Sequence, residues 1–185
     1  MYNKKEAEPL NILSAGCSTG EEVYSFAMAL DDLKQKPNIV GIDISKKAIE
    51  YANSGQFMLD DSERALLENN CTLRMRRANT PRNEELKRRF SENFEQVNPK
   101  FHEYKKKDGT FKNCKFLHSN ITDIERLFDE NSQDVILCRM VLYHLTQQDR
   151  IEFFKQAYKL LKPGGMLCIE PFRHYDYHQE ITNIG

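Results

Sequence analysis

Five short apolar runs punctuate this chain, each long enough for a buried strand and too short for a helix: Asn11–Ala15, Ile39–Ile44, Lys115–Ser119, Asp134–Arg139 and Met166–Glu170. Between them apolar residues recur at helical spacing. Val23, Phe26, Ala27 and Leu30 predict a helix over Thr19–Leu33, and a second is predicted over Lys46–Ser54. Ile151, Phe154, Ala157, Tyr158 and Leu161 share one face of a third, over Gln147–Leu161, which stops at Pro163-Gly164-Gly165. Continuous apolar strands alternating with amphipathic helices predict an α/β fold, a doubly wound and mostly parallel sheet covered on both faces.

The rhythm fails between Gly55 and Cys114. Helices are predicted around Asp60–Asn69 and Asn83–Gln96, and Lys107-Asp108-Gly109-Thr110 reads as an Asp-Gly hairpin turn flanked by Phe101, Tyr104 and Phe111. The expectation is one domain over residues 1–185, with 56–114 as a charged helical and hairpin insertion beside the ligand crevice, a place suited to specificity elements.

Composition narrows the class. At 185 residues the chain is long enough for one real core, and its net charge of −1 gives no case for bulk nucleic-acid attraction. No apolar run approaches a membrane span, and the polar start is no signal peptide. Five scattered cysteines (Cys17, Cys71, Cys114, Cys138, Cys168) without a C-x-x-C indicate reduced thiols in a cytoplasmic protein. Charge is uneven: residues 71–116 hold 13 Lys/Arg against 6 Asp/Glu, net +7, and the rest of the chain is net −8. That segment, with Arg74-Met75-Arg76-Arg77, Lys87-Arg88-Arg89 and Lys105-Lys106-Lys107, is either a solvated face or a surface for an acidic partner.

Candidate chemistry begins at the first strand end. Ser14-Ala15-Gly16-Cys17-Ser18-Thr19-Gly20-Glu21-Glu22 runs from strand through small residues into helix. Such a turn lets a nucleotide approach the backbone and the free N–H groups of the helix start, although a tight strand-to-helix turn also uses glycine for itself. Asp43 ends the second strand, 23 residues after Gly20, near the offset of a carboxylate that grips ribose hydroxyls. A right-handed crossover sets those two strand ends side by side. Capping is the other role open to Asp43, but Ser45 is better placed for it. His174 and His178 flank Asp176 without further ligands at suitable spacing, so they read as a polar tail and no metal site is expected. Asp134 reads as a strand-start hydrogen-bonding residue.

SAGCSTGEE, then GIDIS, then Ser54-Gly55-Gln56-Phe57, FLHSNI, DVILCRMVLYHL and LLKPGG, in that order from Leu10 to Pro171, resemble the CheR-type (chemotaxis protein methyltransferase) branch of the class I S-adenosylmethionine-dependent methyltransferases. The resemblance implies a Rossmann-like fold and S-adenosylmethionine as cofactor. It implies that Ala15, Gly16, Ser18 and Thr19 surround the cofactor's methionine part, that Glu21 meets its α-amino group and that Asp43 holds its ribose. Asn120 and Ile121 would border the adenine, and Arg139 and Met140 would line the pocket under the methyl group. The acidic pair Glu21-Glu22 suits an ammonium and a sulfonium and would repel a pyrophosphate.

Three departures stand out. The family's Arg-Asn after the fourth strand, with a Tyr four residues beyond that Asn, is here Arg139-Met140 and His144, with Tyr143 one position earlier. The family's preceding helical domain is expected to be absent, and a short C-terminus leaves the sheet one or two strands short. The acceptor is expected to be a protein carboxylate or a small molecule. A carboxylate needs no base at neutral pH, whereas for a hydroxyl or ammonium acceptor His144 is the natural base, with Tyr143 as the neighbouring candidate. Two alternatives are a nucleic-acid methyltransferase using the basic segment and a non-catalytic cofactor-binding protein; no N/D-P-P-Y/F tetrapeptide supports the first.

Overall fold

The computed structural model describes residues 8–59, 81–169 and 181. Five of the expected runs form one parallel sheet. In chain order its strands are β1 (Asn11–Ala15), β2 (Asn38–Asp43), β6 (Cys114–His118), β7 (Gln133–Cys138) and β8 (Leu161–Ile169). Their spatial order is β6-β2-β1-β7-β8. The chain therefore winds outward from β1 through β2 to β6, then returns to the other side of β1 for β7 and β8. The order reverses at β1, and in open α/β sheets the crevice beyond the strand C-termini at that switch is where ligands bind.

Alternation along the strands feeds two separate cores. Leu13 and Ile136 pack on one face with Ile124, Phe153, Phe154, Ala157 and Leu160. Ile12 and Leu137, their immediate neighbours, pack on the other with Val23, Tyr24, Ala27, Ile49 and Phe116. Helices α1 (Glu21–Ala29) and α2 (Lys46–Ser54) cover this second face, and α4 (Gln147–Leu160) covers the first. The parallel sheet with helices on both faces is the expected fold class.

Several boundaries differ from expectation for identifiable reasons. Helix α1 ends at Ala29 because its last carbonyls are taken by a residue distant in sequence: the Arg89 guanidinium donates to the carbonyls of Met28 and Ala29 and pairs with Asp32. On α4 the buried face runs through Arg150, Phe153, Phe154, Ala157 and Leu160, which turns Tyr158 out to solvent. Strand β8 starts at Leu161, before the Pro163-Gly164-Gly165 stop; Leu161 pairs with Gln133 and Met166 with Val135, so the intervening residues bulge, with Gly164 at φ 82°. Asp134 bridges this edge, accepting from Asn11 N at 2.8 Å and from Lys162 Nζ at 2.8 Å.

Residues between α2 and β6 build a second, three-stranded antiparallel sheet. Its strands are β3 (Gln56–Met58), β4 (Phe94–Asn98) and β5 (Glu103–Lys106), in the order β3-β5-β4, with helix α3 (Pro81–Asn93) leading into β4. Phe57, Phe90, Phe94 and Tyr104 pack as one aromatic cluster of stacked and edge-on pairs, and Phe94 meets Tyr24 of α1 edge-on at 5.8 Å. The Asp-Gly turn is present, with Thr110 N bonded to Lys107 O, but it closes no hairpin. It passes the chain from one sheet to the other, and the antiparallel hairpin is β4–β5, joined through a 3₁₀ turn at Pro99–Phe101. The helix expected at Asp60–Asn69, Cys71, the Arg74–Arg77 cluster and His174 to His178 lie outside the described residues.

Candidate active site

The loop between β1 and α1 is held open by its backbone. Gly16, Ser18 and Gly20 all have positive φ (82°, 49° and 94°), so the chain curls tightly before α1 begins at Glu21. The N–H groups of Gly16 and Cys17 both donate to Ile42 O, which ties the loop to β2. A Cβ on Gly16 would lie 2.2 Å from Val141 Cγ2, so only glycine fits there. Asp43, at the C-terminal end of β2, accepts from Ser18 N at 2.9 Å through one oxygen and from Ser45 N at 2.8 Å through the other. Ser45 itself caps α2, accepting from Ala48 N. Each Asp43 oxygen keeps a further lone pair for a ligand.

These elements face a cleft of about 850 Å³ at the switch point. Gly16, Ser18 and Glu21 from the loop and helix start, Asp43 from β2, Asn120 and Ile121 beyond β6, and Arg139, Met140 and His144 beyond β7 all line it. Ala15, Thr19 and Tyr143 do not. Ala15 is a buried end residue of β1, Thr19 donates its hydroxyl to Glu21 Oε1 at 2.6 Å, and Tyr143 packs on the His144 ring with centroids 4.0 Å apart. Sequence reasoning missed Cys17, Ile44, Val141, Leu145 and Asp149 as lining residues and gave Glu22 no separate role. Ile44, expected as the last residue of a buried strand, is instead exposed directly after the acidic strand end.

Local chemistry places several of these side chains. Asn120 caps the 3₁₀ turn at Ile121–Arg126, its amide oxygen accepting from Thr122 N, which fixes the side chain and leaves that oxygen one further lone pair. At the end of β7 Met140 takes φ 57°, a left-handed backbone that turns the chain out of the sheet and leaves Arg139 and Met140 exposed over the cleft. His144 is exposed in the 3₁₀ turn Leu142–His144. Asp149 accepts from Thr146 Oγ1 at 2.7 Å at the start of α4.

Charge in the cleft is lopsided. Glu21, Glu22, Asp43 and Asp149 line it against the guanidinium of Arg139, which already pairs with Glu22 at 3.3 Å. A polyphosphate would be repelled, whereas a ligand carrying an ammonium, a sulfonium and a ribose fits the donors and acceptors present. Burial pushes the Cys17 thiol, on the cleft floor, up to about 12, with the Asp43 carboxylate adding to the shift, so Cys17 is no nucleophile.

Comparison with known proteins agrees with this geometry. Residues 1–92 match the family model "CheR methyltransferase, SAM binding domain", and residues 86–169 match the family model "Methyltransferase domain". The chemotaxis protein methyltransferase of Campylobacter jejuni is 28% identical over 169 residues, covering 91% of this chain and 56% of the relative. Chemotaxis protein methyltransferase 1 of Pseudomonas aeruginosa is 26% identical over 168 residues, covering 86% and 53%. The chain thus spans about half the length of these relatives. Among solved structures, Haemonchus contortus phosphoethanolamine N-methyltransferase 1, in complex with phosphoethanolamine and S-adenosylhomocysteine, superposes with a TM-score of 0.50 at 12% identity, covering 89% of this chain and 22% of that one. Sheet order, strand-end cleft and family matches define the fold of the class I S-adenosylmethionine-dependent methyltransferases. Over residues 1–92 the chain is similar to their CheR-type branch.

Proposed function

We propose that this chain transfers the methyl group of S-adenosylmethionine to a side-chain carboxylate of an acceptor protein. One observation carries the reading: a glycine loop, a ribose-competent carboxylate and the ends of β6 and β7 converge on one acidic cleft at the switch point. The names of the chemotaxis relatives support a protein acceptor. S-adenosylmethionine supplies an already activated methyl group, so the protein's work is alignment and exclusion of water. Asp43 holds the ribose hydroxyls, and hydrogen bonds to a charged acceptor contribute about 1.5–3 kcal/mol each. Glu21 meets the α-amino group, while Gly16 and Ser18 face the methionine part, with Ala15 and Thr19 flanking them in the chain as supports of the loop. Asn120 and Ile121 border the adenine. Arg139 and Met140 stand under the methyl group.

A carboxylate acceptor is ionised at neutral pH and requires no base. His144, with Tyr143 packed against it, then acts as a hydrogen-bonding residue at the acceptor end. His144→Gln should leave transfer within about ten-fold of the parent; a loss of about 100-fold or more would mark general-base catalysis and a hydroxyl or amine acceptor. The basic segment gives little support to nucleic-acid binding: Lys87, Arg88 and Arg89 pair with Glu84, Glu85, Glu92 and Asp32, and Lys107 donates to Ser91 O. An acidic partner at this segment remains part of the proposal, as does one domain over residues 1–185 acting in the cytoplasm. Unpaired thiols at Cys17, Cys114, Cys138 and Cys168 suit that compartment.

The test uses labelled S-adenosylmethionine and total protein from the source cell. Label should become protein-bound and be released as volatile methanol by mild alkali, as a methyl ester requires. Alkali-stable label, or label in nucleic acid, would contradict the reading.

A further inference from the structure

We infer that Glu22 is a positioning residue, locked by Ser14, whose task is to hold the Arg139 guanidinium on the cleft wall; the functional part of this inference rests on the methyltransferase reading. Ser14 lies in β1 with no solvent exposure, and its hydroxyl donates to Glu22 Oε1 at 2.8 Å. The other oxygen of the same carboxylate accepts from Arg139 Nη1 at 3.3 Å. The Glu22 side chain is only 18% exposed, whereas that of Arg139 is 53% exposed.

Three elements meet in this chain of contacts: β1, the first turn of α1, and the end of β7 on the opposite side of the switch point. A buried hydroxyl in a strand is a rigid anchor. It leaves Glu22 few rotamers, so the charge that Glu22 presents to Arg139 is fixed in place rather than averaged over a mobile side chain. At the other end, Met140 at φ 57° turns the backbone sharply after Arg139, which leaves the guanidinium outside the sheet and within reach of the Glu22 carboxylate. Charge-assisted bonds from a guanidinium to a carboxylate are directional, which suits orienting rather than only neutralising. The two adjacent glutamates therefore divide the work: Glu21 is exposed and accepts from the local Thr19 hydroxyl, whereas Glu22 spans the crevice. Held in this way, Arg139 offers an anionic acceptor one fixed cation beside the reacting centre.

Phenylglyoxal modification of Arg139, followed by mass spectrometry, reads the clamp directly. Glu22→Gln should raise the rate of Arg139 modification about two- to five-fold, the factor expected for loss of a partly exposed ion pair, and Ser14→Ala should raise it by less. Ser14→Ala removes one hydroxyl from the core and serves if the glutamine variant misfolds. In the alkali-labile transfer assay, Glu22→Gln with Arg139→Gln should be no slower than Arg139→Gln alone, because both changes break one device. Equal modification rates in the parent and both variants, or additive losses in the double variant, would overturn the inference. Calorimetry with S-adenosylhomocysteine on the same proteins separates the two claims: absent binding by the parent refutes the methyltransferase reading, whereas the Arg139 modification rates judge the clamp.

Discussion

Single residues carry the site's chemistry, and they were legible to different degrees. Asp43 stood out because an acid at a strand end, about twenty residues past a glycine turn, has few structural reasons to be there; its bonds to Ser18 N and Ser45 N show one such reason alongside the proposed ribose contact. Glu21 was given the α-amino contact and Glu22 no role of its own, since adjacency in sequence says nothing about which of two helix-start carboxylates turns inward. Ser14 was hidden altogether, as a small polar residue in an apolar run. Thiol chemistry gives a direct check at this scale. Burial pushes Cys17, Cys114 and Cys138 each up to about 12, so at pH 8 these thiols should remain unmodified by Ellman's reagent until the protein is denatured. Rapid reaction of Cys17 in folded protein would show that the β1–α1 loop is not packed as described.

At the scale of elements, hydrophobic period located the strands to within about two residues at most ends, most sharply for the three central strands β1, β2 and β7, whose residues are largely buried. What it could not see were terminations set by distant partners. Helix α1 stops where Arg89, sixty residues on, donates to its last carbonyls, and a charge run in the sequence became a helix cap in the fold. Arg89→Met should therefore lower the midpoint of thermal unfolding by about 3–6 °C; an unchanged midpoint would mean that the cap contributes nothing. The β7–β8 edge makes a second prediction. Burial alone would raise the Asp134 carboxyl, but the Asn11 N–H and the Lys162 ammonium outweigh it and hold the group below its ordinary value. A carboxyl lowered on folding adds stability that is complete above its unfolded pKa and lost as pH falls through its folded one. The stability gap between the parent and Asp134→Asn should be constant above about pH 5 and narrow below about pH 4. A gap that widens on acidification would reverse the assignment.

Over the whole molecule, the topology creates the cleft. Winding from β1 out to β6 and back to β7 opens one crevice, and every segment that enters it does so from a strand C-terminus. The alternating pattern announced this layout, but the hairpin assignment across Asp108-Gly109 failed because the turn joins two sheets, and local turn chemistry cannot say which strands pair. The central claim is that this crevice takes the sulfonium donor, and the most direct measurement is calorimetric titration of the parent chain and Asp43→Ala with S-adenosylhomocysteine. The account predicts a single saturable site in the parent, weakened about ten-fold or more in the variant. A folded parent that gives no binding heat and no thermal shift, or a variant that binds as tightly as the parent, would contradict it.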